Sequence, residues 1–380
     1  MKSKIYFLML VVMGAGLASC KEVAISADPS ATTYTFTSST AYSFAGTGTY
    51  NLSFANSLPA ATAHSLFSLT QTGVLLAANR VEDTATGFTV PSTLGQPADG
   101  SYTAGYSAAS SSIKRELILF RSTNSNLELY SATRTSTNNA VSFSRKTLIA
   151  AQASNVVSMT ETADGEYILL VSSSGTHKII KRGFDGDDLA DTFSVTASSV
   201  GSTISVGRKA LTANLNNSSD TGDNRNEYEF LLVGNSSVRV LIPSGTTGLY
   251  TDSAAVTRSG TAQIVDAAMV RWDADQFPDL LLLTTTGIEY YKNNSTANGA
   301  IAFASGRDLI GSTIEMGTPT KFLVSDLNGD QFQDLIVLRQ GDDPLYLQFS
   351  ANFLLTDKSA SGFGSALTSD FTDAASGDFN

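Results

Sequence analysis

Four side chains that carry oxygen lie close together in residues 325–338, whose sequence is SDLNGDQFQDLIVL. They are Asp326, Asn328, Asp330 and Asp334, spaced two or four residues apart and followed by an apolar strand. Carboxylates this close repel one another unless a cation lies between them. Hard oxygen ligands of this kind suit Ca²⁺, which takes about six to eight of them. The segment is therefore a candidate metal loop, a candidate catalytic acid cluster or a polar turn.

A second segment, residues 271–279, repeats the pattern with one change. Its sequence RWDADQFPD places Arg271 where the later loop has Asp326, and carboxylates follow at Asp273, Asp275 and Asp279. A guanidinium beside three carboxylates can replace a metal ion by an internal salt bridge. Two interpretations, a weaker calcium site and a salt bridge, stay open for this loop.

The rest of the chain contains no recognised catalytic motif. The two histidines, His64 and His177, are far apart and lie in no zinc-protease spacing. No Gly-x-Ser-x-Gly elbow and no glycine-rich phosphate loop occur. The carboxylates are grouped within single loops, whereas glycoside hydrolysis needs two carboxylates on opposite sides of a cleft. The sequence leaves enzyme activity open but does not favour it.

The strands that carry these loops recur along the chain. Each unit consists of an apolar strand, a small polar turn and a second strand with alternating polarity. A near-continuous apolar run predicts a strand covered on both faces, and alternation predicts a strand with one wet face. The apolar strands begin 50 to 62 residues apart, at Ser65, Glu116, Tyr167, Glu229, Asp279 and Asp334.

A period of about 50 residues has room for four short strands and their turns, which is one blade of a β-propeller. Sandwich domains of two units each would need linkers and a longer period, and the sequence has neither. We therefore predict an all-β fold, a seven-bladed β-propeller over residues 33–380. The chain ends inside the seventh unit, so the last blade is either incomplete or closed by N-terminal strands that begin at Thr33, Ala41 and Tyr50.

The stretches Asp326-LNGDQFQDLIV and Arg271-WDADQFPDLLL resemble the FG-GAP or VCBS repeat, the calcium-bearing blade of integrin α-chain heads and many bacterial surface proteins. The last residues, ASGDFN, resemble the start of the same motif. The resemblance implies two sets of calcium ligands. In the better-matched loop they are Asp326, Asn328, Asp330, the backbone carbonyl of Phe332, and Asp334. In the weaker copy they are Asp273, Asp275 and Asp279.

The N-terminus resembles that of a bacterial lipoprotein. Lys2 and Lys4 precede a short apolar run, and the tetrapeptide LASC ends at Cys20, the single cysteine of the chain. The run is too short to span a membrane and matches a secretory signal. We expect a signal peptide over residues 1–19, lipid attachment at Cys20, and a tether over residues 20–32. The chain would then be exported to the bacterial cell envelope.

The net charge of the chain limits the classes of ligand that it can bind. The formal net charge of −11 becomes −13 once Lys2 and Lys4 are removed, which argues against nucleic acid as a ligand. The expected function is a lipid-anchored, calcium-stabilised propeller that binds a protein or glycan partner. The alternatives are a carbohydrate-active propeller enzyme, either a polysaccharide lyase or a hydrolase, and a scaffold fragment of a larger surface protein.

Overall fold

We describe the protein from a computed structural model. The structure describes the strands given below and, outside them, the loops within residues 155–183, 204–217, 228–243, 257–309 and 314–359. Residues 328–331 and 351–353 and a few isolated positions in these ranges are not described. Among the described residues, no helix is long and apolar enough to cross a membrane.

The described secondary structure is almost entirely β-strand, as the sequence predicts. In chain order the strands are β1 (Tyr6–Leu10), β2 (Ser19–Ile25), β3 (Phe36–Ser38), β4 (Tyr42–Ser43), β5 (Tyr50–Ser57), β6 (His64–Thr70), β7 (Leu75–Ala78), β8 (Ser92–Thr93), β9 (Tyr102–Ser111), β10 (Lys114–Arg121), β11 (Asn126–Arg134), β12 (Val141–Ile149), β13 (Val156–Glu161), β14 (Tyr167–Ser172), β15 (His177–Gly183), β16 (Thr192–Ser198), β17 (Gly207–Ala213), β18 (Glu229–Gly234), β19 (Val238–Pro243), β20 (Tyr250–Val256), β21 (Ile264–Val270), β22 (Asp279–Thr284), β23 (Ile288–Tyr291), β24 (Arg307–Asp308), β25 (Pro319–Ser325), β26 (Asp334–Arg339), β27 (Leu345–Ser350), β28 (Leu354–Asp357) and β29 (Asp373–Gly377).

Six groups of four consecutive strands, from β5–β8 to β25–β28, form four-stranded antiparallel sheets. A further sheet joins β29 to β1, β2 and β3, with β4 also paired to β2. The predicted units are confirmed as the second and third strands of the four-stranded sheets. The arrangement is all-β and consistent with a β-propeller.

The first strands of successive sheets contact one another in a closed ring. Contacts run from β5 to β9, β13, β17, β21, β25 and β29, and from β29 back to β5. The second strands lie further out and are apolar on both faces, as their sequence predicts. Every residue of β14, β18 and β22 is buried, so the core lies between neighbouring sheets. Burial of each leucine of β22 stabilises the fold by about 2 kcal/mol.

The two ends of the sheets differ in structure. At the upper end, where the first strands begin and the second strands turn into the third, backbone hydrogen bonds link neighbouring sheets. Gly207 N donates to Ser173 O at 3.2 Å, and Ile264 N donates to Asn235 O at 2.7 Å. At the lower end lie the loops between the first and second strands, which include both carboxylate segments.

A β-bulge interrupts the upper end of each described first strand from β13 to β25. The register shifts after the first residue, so the second residue has no partner on the second strand. Bulges re-aim side chains and are common at the rims of barrels and near functional sites. The second and third residues of these strands are therefore placed at the inner, upper rim of the sheets.

The N-terminal strands occupy the sheet of β29. β1 lies within the segment expected to be a signal peptide, and it pairs with both β2 and β29. Cys20 belongs to β2, opposite Leu10, within the segment expected to be a tether. Cleavage before Cys20 would remove β1, which links β29 to β2, and would leave β2 paired with β3 and β4 only. Signal cleavage and lipid attachment stay predictions.

Candidate functional site

The best-matched carboxylate loop ends in a buried, fully hydrogen-bonded carboxylate. Asp334 is 0% exposed, and its Oδ1 accepts from Phe349 N at 3.1 Å. Its Oδ2 accepts from Tyr346 Oη at 3.1 Å and from Leu327 N at 3.3 Å. Asp334 thus fastens its loop to the third strand of the same sheet. Of the other predicted ligands, Asp326 and Phe332 are partly buried, and Asn328 and Asp330 lie outside the described residues.

The earlier loop repeats this anchor. Asp279 is 0% exposed, and it accepts from Tyr290 Oη and from Asn293 N, each at 2.8 Å. Burial raises the pKa of Asp279 to about 6, against the opposing effect of these hydrogen bonds. Glu229 stands at the same position of β18 and accepts from Leu215 N at 2.8 Å. A buried carboxylate at the start of the second strand is therefore a recurring anchor of the lower end.

A lysine neutralises the other two carboxylates of the earlier loop. Lys292 Nζ donates to Asp273 and lies 3.3 Å from Asp275 Oδ2. Burial opposes ionisation of Asp273, but the combined effect of Lys292 and of the hydrogen bonds from Asp275 outweighs it, so the pKa of Asp273 is lowered. A salt bridge is present in this loop, but its cation is Lys292, which directly follows the third strand, and not Arg271 as predicted, which is exposed.

Calcium at either loop stays a prediction. In the described part of the chain, no group of three or more His, Cys, Asp or Glu side chains is placed to hold a metal ion. The last loop differs from the earlier one in a way that bears on this prediction. Alignment of the Asp279 and Asp334 anchors puts Gln348 where the earlier sheet has Lys292, so no lysine from the third strand neutralises the last loop.

The upper end carries a charged group that the sequence analysis did not identify. It consists of Arg208, Lys209, Asp266 and Lys321, at the second or third position of the neighbouring first strands β17, β21 and β25. Lys209 Nζ lies 2.9 Å from Asp266 Oδ1, so an ion pair crosses from one sheet to the next. The signal in the sequence was a charged residue at the third position of successive first strands, repeated at Lys209, Asp266 and Lys321 with the period of the fold.

Asp266 is held firmly within the charged group. Its side chain is 7% exposed, and Oδ1 accepts a second hydrogen bond from Ala267 N at 2.9 Å. Oδ2 accepts from Phe322 N of the next first strand at 3.3 Å. The orientation of this carboxylate is therefore fixed by groups from three strands. Lys209 is 30% exposed and Arg208 is exposed, so water and small ligands reach the cationic side of the group.

The charged group has a formal charge of +2 in a chain of net charge −11. Cations held at a narrow rim attract anions and stabilise negative charge that develops on a bound molecule. Its fixed carboxylate can accept a proton or a hydrogen bond. The group thus has the components for binding an anion and for assisting a reaction that produces one.

Also at the upper end is a cavity of about 330 Å³ between the connection from β20 to β21 and the sheet of β21–β24. Its lining includes Glu289, whose carboxylate is bound by Arg258 and by Tyr291. Arg258 and Glu289 are 31 residues apart, so no local motif indicates that they form a pair. The cavity and the charged group are neighbours along the chain. Residues 260–262 line the cavity, and β21, which contains Asp266, follows them directly.

No family model and no curated protein matches the chain. Solved structures do match it over nearly their whole length. A candidate 6-phosphogluconolactonase from Bacteroides uniformis has a TM-score of 0.62 and 13% identity, covering 98% of this chain and 99% of its own. The periplasmic gluconolactonase PpgL of Pseudomonas aeruginosa has a TM-score of 0.55 and 12% identity, covering 99% of this chain and 100% of its own. At such identities the likeness shows the fold alone.

These matches correct the family interpretation. The resemblance to FG-GAP or VCBS repeats and to integrin heads is wrong, because the similar structures named above are a candidate 6-phosphogluconolactonase and a gluconolactonase. The calcium-stabilised adhesion module that followed from that resemblance is wrong for the same reason. The anchors Asp279 and Asp334 give a physical cause for the error: an Asp at the end of a loop is needed to fasten that loop, with or without an ion. No finding supports the term lipoprotein.

Proposed function

We propose that this protein is an exported, carbohydrate-active hydrolase that opens the ring of a sugar lactone. Two observations support the proposal. Lactonases share the fold from end to end, and one of them is periplasmic. The charged group lies at the inner, upper rim of the sheets, beside β-bulges of the kind that are common near functional sites. A likeness of fold does not determine activity by itself, so the proposed lactonase activity rests on the charged group.

Lactone hydrolysis creates negative charge, and this is the property that the charged group matches. Water adds to the carbonyl carbon, and the carbonyl oxygen becomes an oxyanion in the tetrahedral intermediate. The bond to the ring oxygen then breaks, the ring oxygen takes up a proton, and the product is a hydroxy acid. A neutral substrate thus becomes a carboxylate. The excess of two positive charges at the rim carries the proposal, because it favours the intermediate and the product over the substrate.

Each member of the group has a role in this account. Lys209 and Lys321 would lie beside the oxyanion, and Arg208 would hold polar groups of the sugar. Asp266 would orient the attacking water and accept its proton. Because two backbone amides and Lys209 already fix this carboxylate, the water would be positioned without further ordering of the side chain.

The overall architecture proposed is a seven-bladed propeller whose last blade is closed by N-terminal strands. The pairing of β29 with β1, and the contacts of β29 with β25 and β5, support this closure. Closure by both termini protects the edges of the last sheet, which would otherwise expose unpaired backbone groups. Export is proposed from the apolar N-terminal run and from the periplasmic location of one similar structure, and closure through β1 requires that Tyr6–Leu10 stay in the exported protein.

Acid release from glucono-δ-lactone tests the proposed activity. The purified protein is added at constant pH, and base uptake is compared with the spontaneous hydrolysis rate. We expect acceleration that saturates with substrate concentration. A rate no higher than that of buffer, for this lactone and for its 6-phosphate, would overturn the proposal.

A further inference from the structure

The cavity at the upper end of the sheets has a polar but uncharged interior. One wall is the connection from β20 to β21, and the opposite wall is the turn from β22 to β23. The lining includes Thr261, Thr286, Gly287, Ile288, Glu289 and Gly306. Its volume of about 330 Å³ would hold roughly ten water molecules, or one hexose with some of its water.

The carboxylate of Glu289 is neutralised within the protein. Arg258 Nη2 donates to Oε1 at 2.8 Å and Arg258 Nε donates to Oε2 at 3.0 Å, which is a bidentate pair. Tyr291 Oη also donates to Oε2, at 2.6 Å. The side chains of Arg258 and Glu289 are 5% and 15% exposed. The cavity thus contains a strong hydrogen-bond acceptor without net charge, and Oε1 keeps a lone pair beyond its bond to Arg258.

The walls of the cavity are fixed before any ligand enters. Arg258 donates to Ala262 O at 2.9 Å and to Ser236 O at 3.2 Å, which holds the first wall to the neighbouring sheet. Thr284 Oγ1 donates to Gly287 O and accepts from Gly287 N, each at 3.0 Å, which closes the turn of the second wall. A ligand would therefore bind without paying for much ordering of the protein.

One glycine keeps the cavity open. A Cβ atom at Gly306 would lie 2.5 Å from the ring of Tyr291, so any side chain there would displace the residue that supports Glu289. The absence of a side chain at this position preserves both the space and the hydrogen bond from Tyr291.

From these contacts we infer that the cavity binds one neutral sugar unit. Sugar hydroxyls donate to Glu289, and the exposed hydroxyls of Thr261 and Thr286 exchange hydrogen bonds with them. Anions are disfavoured by the carboxylate, and cations are disfavoured by Arg258. No aromatic ring is among the described residues that line this cavity, so we expect weak affinity, with a Kd of about 1 mM.

The inference does not rest on the proposed lactonase activity, because it concerns binding at a different place. Calorimetric titration with D-glucose, and with its cationic analogue D-glucosamine, tests the chemistry of the site. Glucose is expected to bind at least ~10-fold more tightly than glucosamine, a difference of about 1.4 kcal/mol. Equal or tighter binding of glucosamine would overturn the neutral-sugar assignment, since it would show that Glu289 keeps an effective negative charge.

A matched pair of variants tests the location. Thr285 and Thr286 are adjacent and exposed in the same turn, but only Thr286 lines the cavity. Thr286→Trp is expected to weaken glucose binding more than ~10-fold, and Thr285→Trp to leave it within ~2-fold. Thr261→Trp fills the cavity from the opposite wall and gives a second blocked form if Thr286→Trp folds poorly. Wild-type binding by both cavity-filling variants would overturn the inference, whatever the result of the lactone assay.

Discussion

The buried carboxylate of Glu229 makes the stability of this protein fall as the pH rises through the neutral range. Glu229 is 3% exposed and accepts a hydrogen bond from Leu215 N. Burial raises its pKa from 4.5 to about 7, and the hydrogen bond from Leu215 only partly offsets this effect. We predict that Glu229→Gln removes this part of the pH dependence, because an amide of the same shape stays uncharged.

The sign and the size follow from proton linkage. Between about pH 4.5 and pH 7 the folded state holds a proton on Glu229 that the unfolded chain has released. Stability from this group is therefore complete below about pH 4.5 and is lost as the pH rises through about 7. One pKa unit corresponds to about 1.4 kcal/mol, so the loss is roughly 3 kcal/mol. Glu229→Gln should match the wild type near pH 4.5 and exceed it by about that amount at pH 8.

Urea unfolding of both proteins at several pH values measures this difference. Fluorescence of Trp272, the single tryptophan, reports the transition because its side chain is 1% exposed and stacks on Phe349. Glu315→Gln, at an exposed position, is the control and should keep the wild-type pH profile. If the stability difference between Glu229→Gln and wild type is the same at pH 5 and pH 8, the buried-carboxylate argument is refuted.

Three further predictions concern the lower end. Asp334→Asn should lower the free energy of unfolding by about 2–4 kcal/mol, because three donors lose a charged acceptor; urea titration measures the loss, and a change below about 0.5 kcal/mol contradicts it. Lys292→Gln should leave Asp273 and Asp275 repelling each other, so the Tm should fall at low salt and recover when Ca²⁺ is added. A Tm of the variant that changes neither with salt concentration nor with Ca²⁺ would contradict this prediction. Ca²⁺ should raise the Tm of the wild type, Asp330→Ala should remove most of that gain, and an unchanged melting curve after chelation would refute the calcium prediction.

The repeating fold was predictable because the hydrophobic pattern within each unit indicates which of its strands are buried. Leu280–Leu283 form a continuous apolar run, which is typical of a strand covered on both faces. The turn after this strand is short and polar. The period then gives the number of strands in each unit. Closure of the last sheet was harder to predict, because β1 and β29 are at opposite ends of the chain and the apolar run that contains β1 matches a secretory signal.

The functional groups depend on contacts that a local motif does not contain. Lys209 and Asp266 meet because equivalent strands of neighbouring sheets lie side by side, although they are 57 residues apart. Lys292, which directly follows the third strand of its sheet, reaches Asp273, and a search within the loop misses this contact. The loop motif was conspicuous and led to the wrong family, because the Asp that fastens a loop and the Asp that binds an ion occupy the same position.

The proposed site is tested most directly by two lysines at opposite ends of the sheets, which are matched in ion-pair distance and in exposure. Lys209 pairs with Asp266 at the upper end and Lys181 pairs with Glu166 at the lower end, both at 2.9 Å and with the lysines 30% and 31% exposed. The measurement is kcat/KM for glucono-δ-lactone in Lys209→Met and Lys181→Met. We predict a fall of about 100-fold or more for Lys209→Met and a change within ~2-fold for Lys181→Met. Equal activity of the two variants would contradict hydrolysis at the charged group.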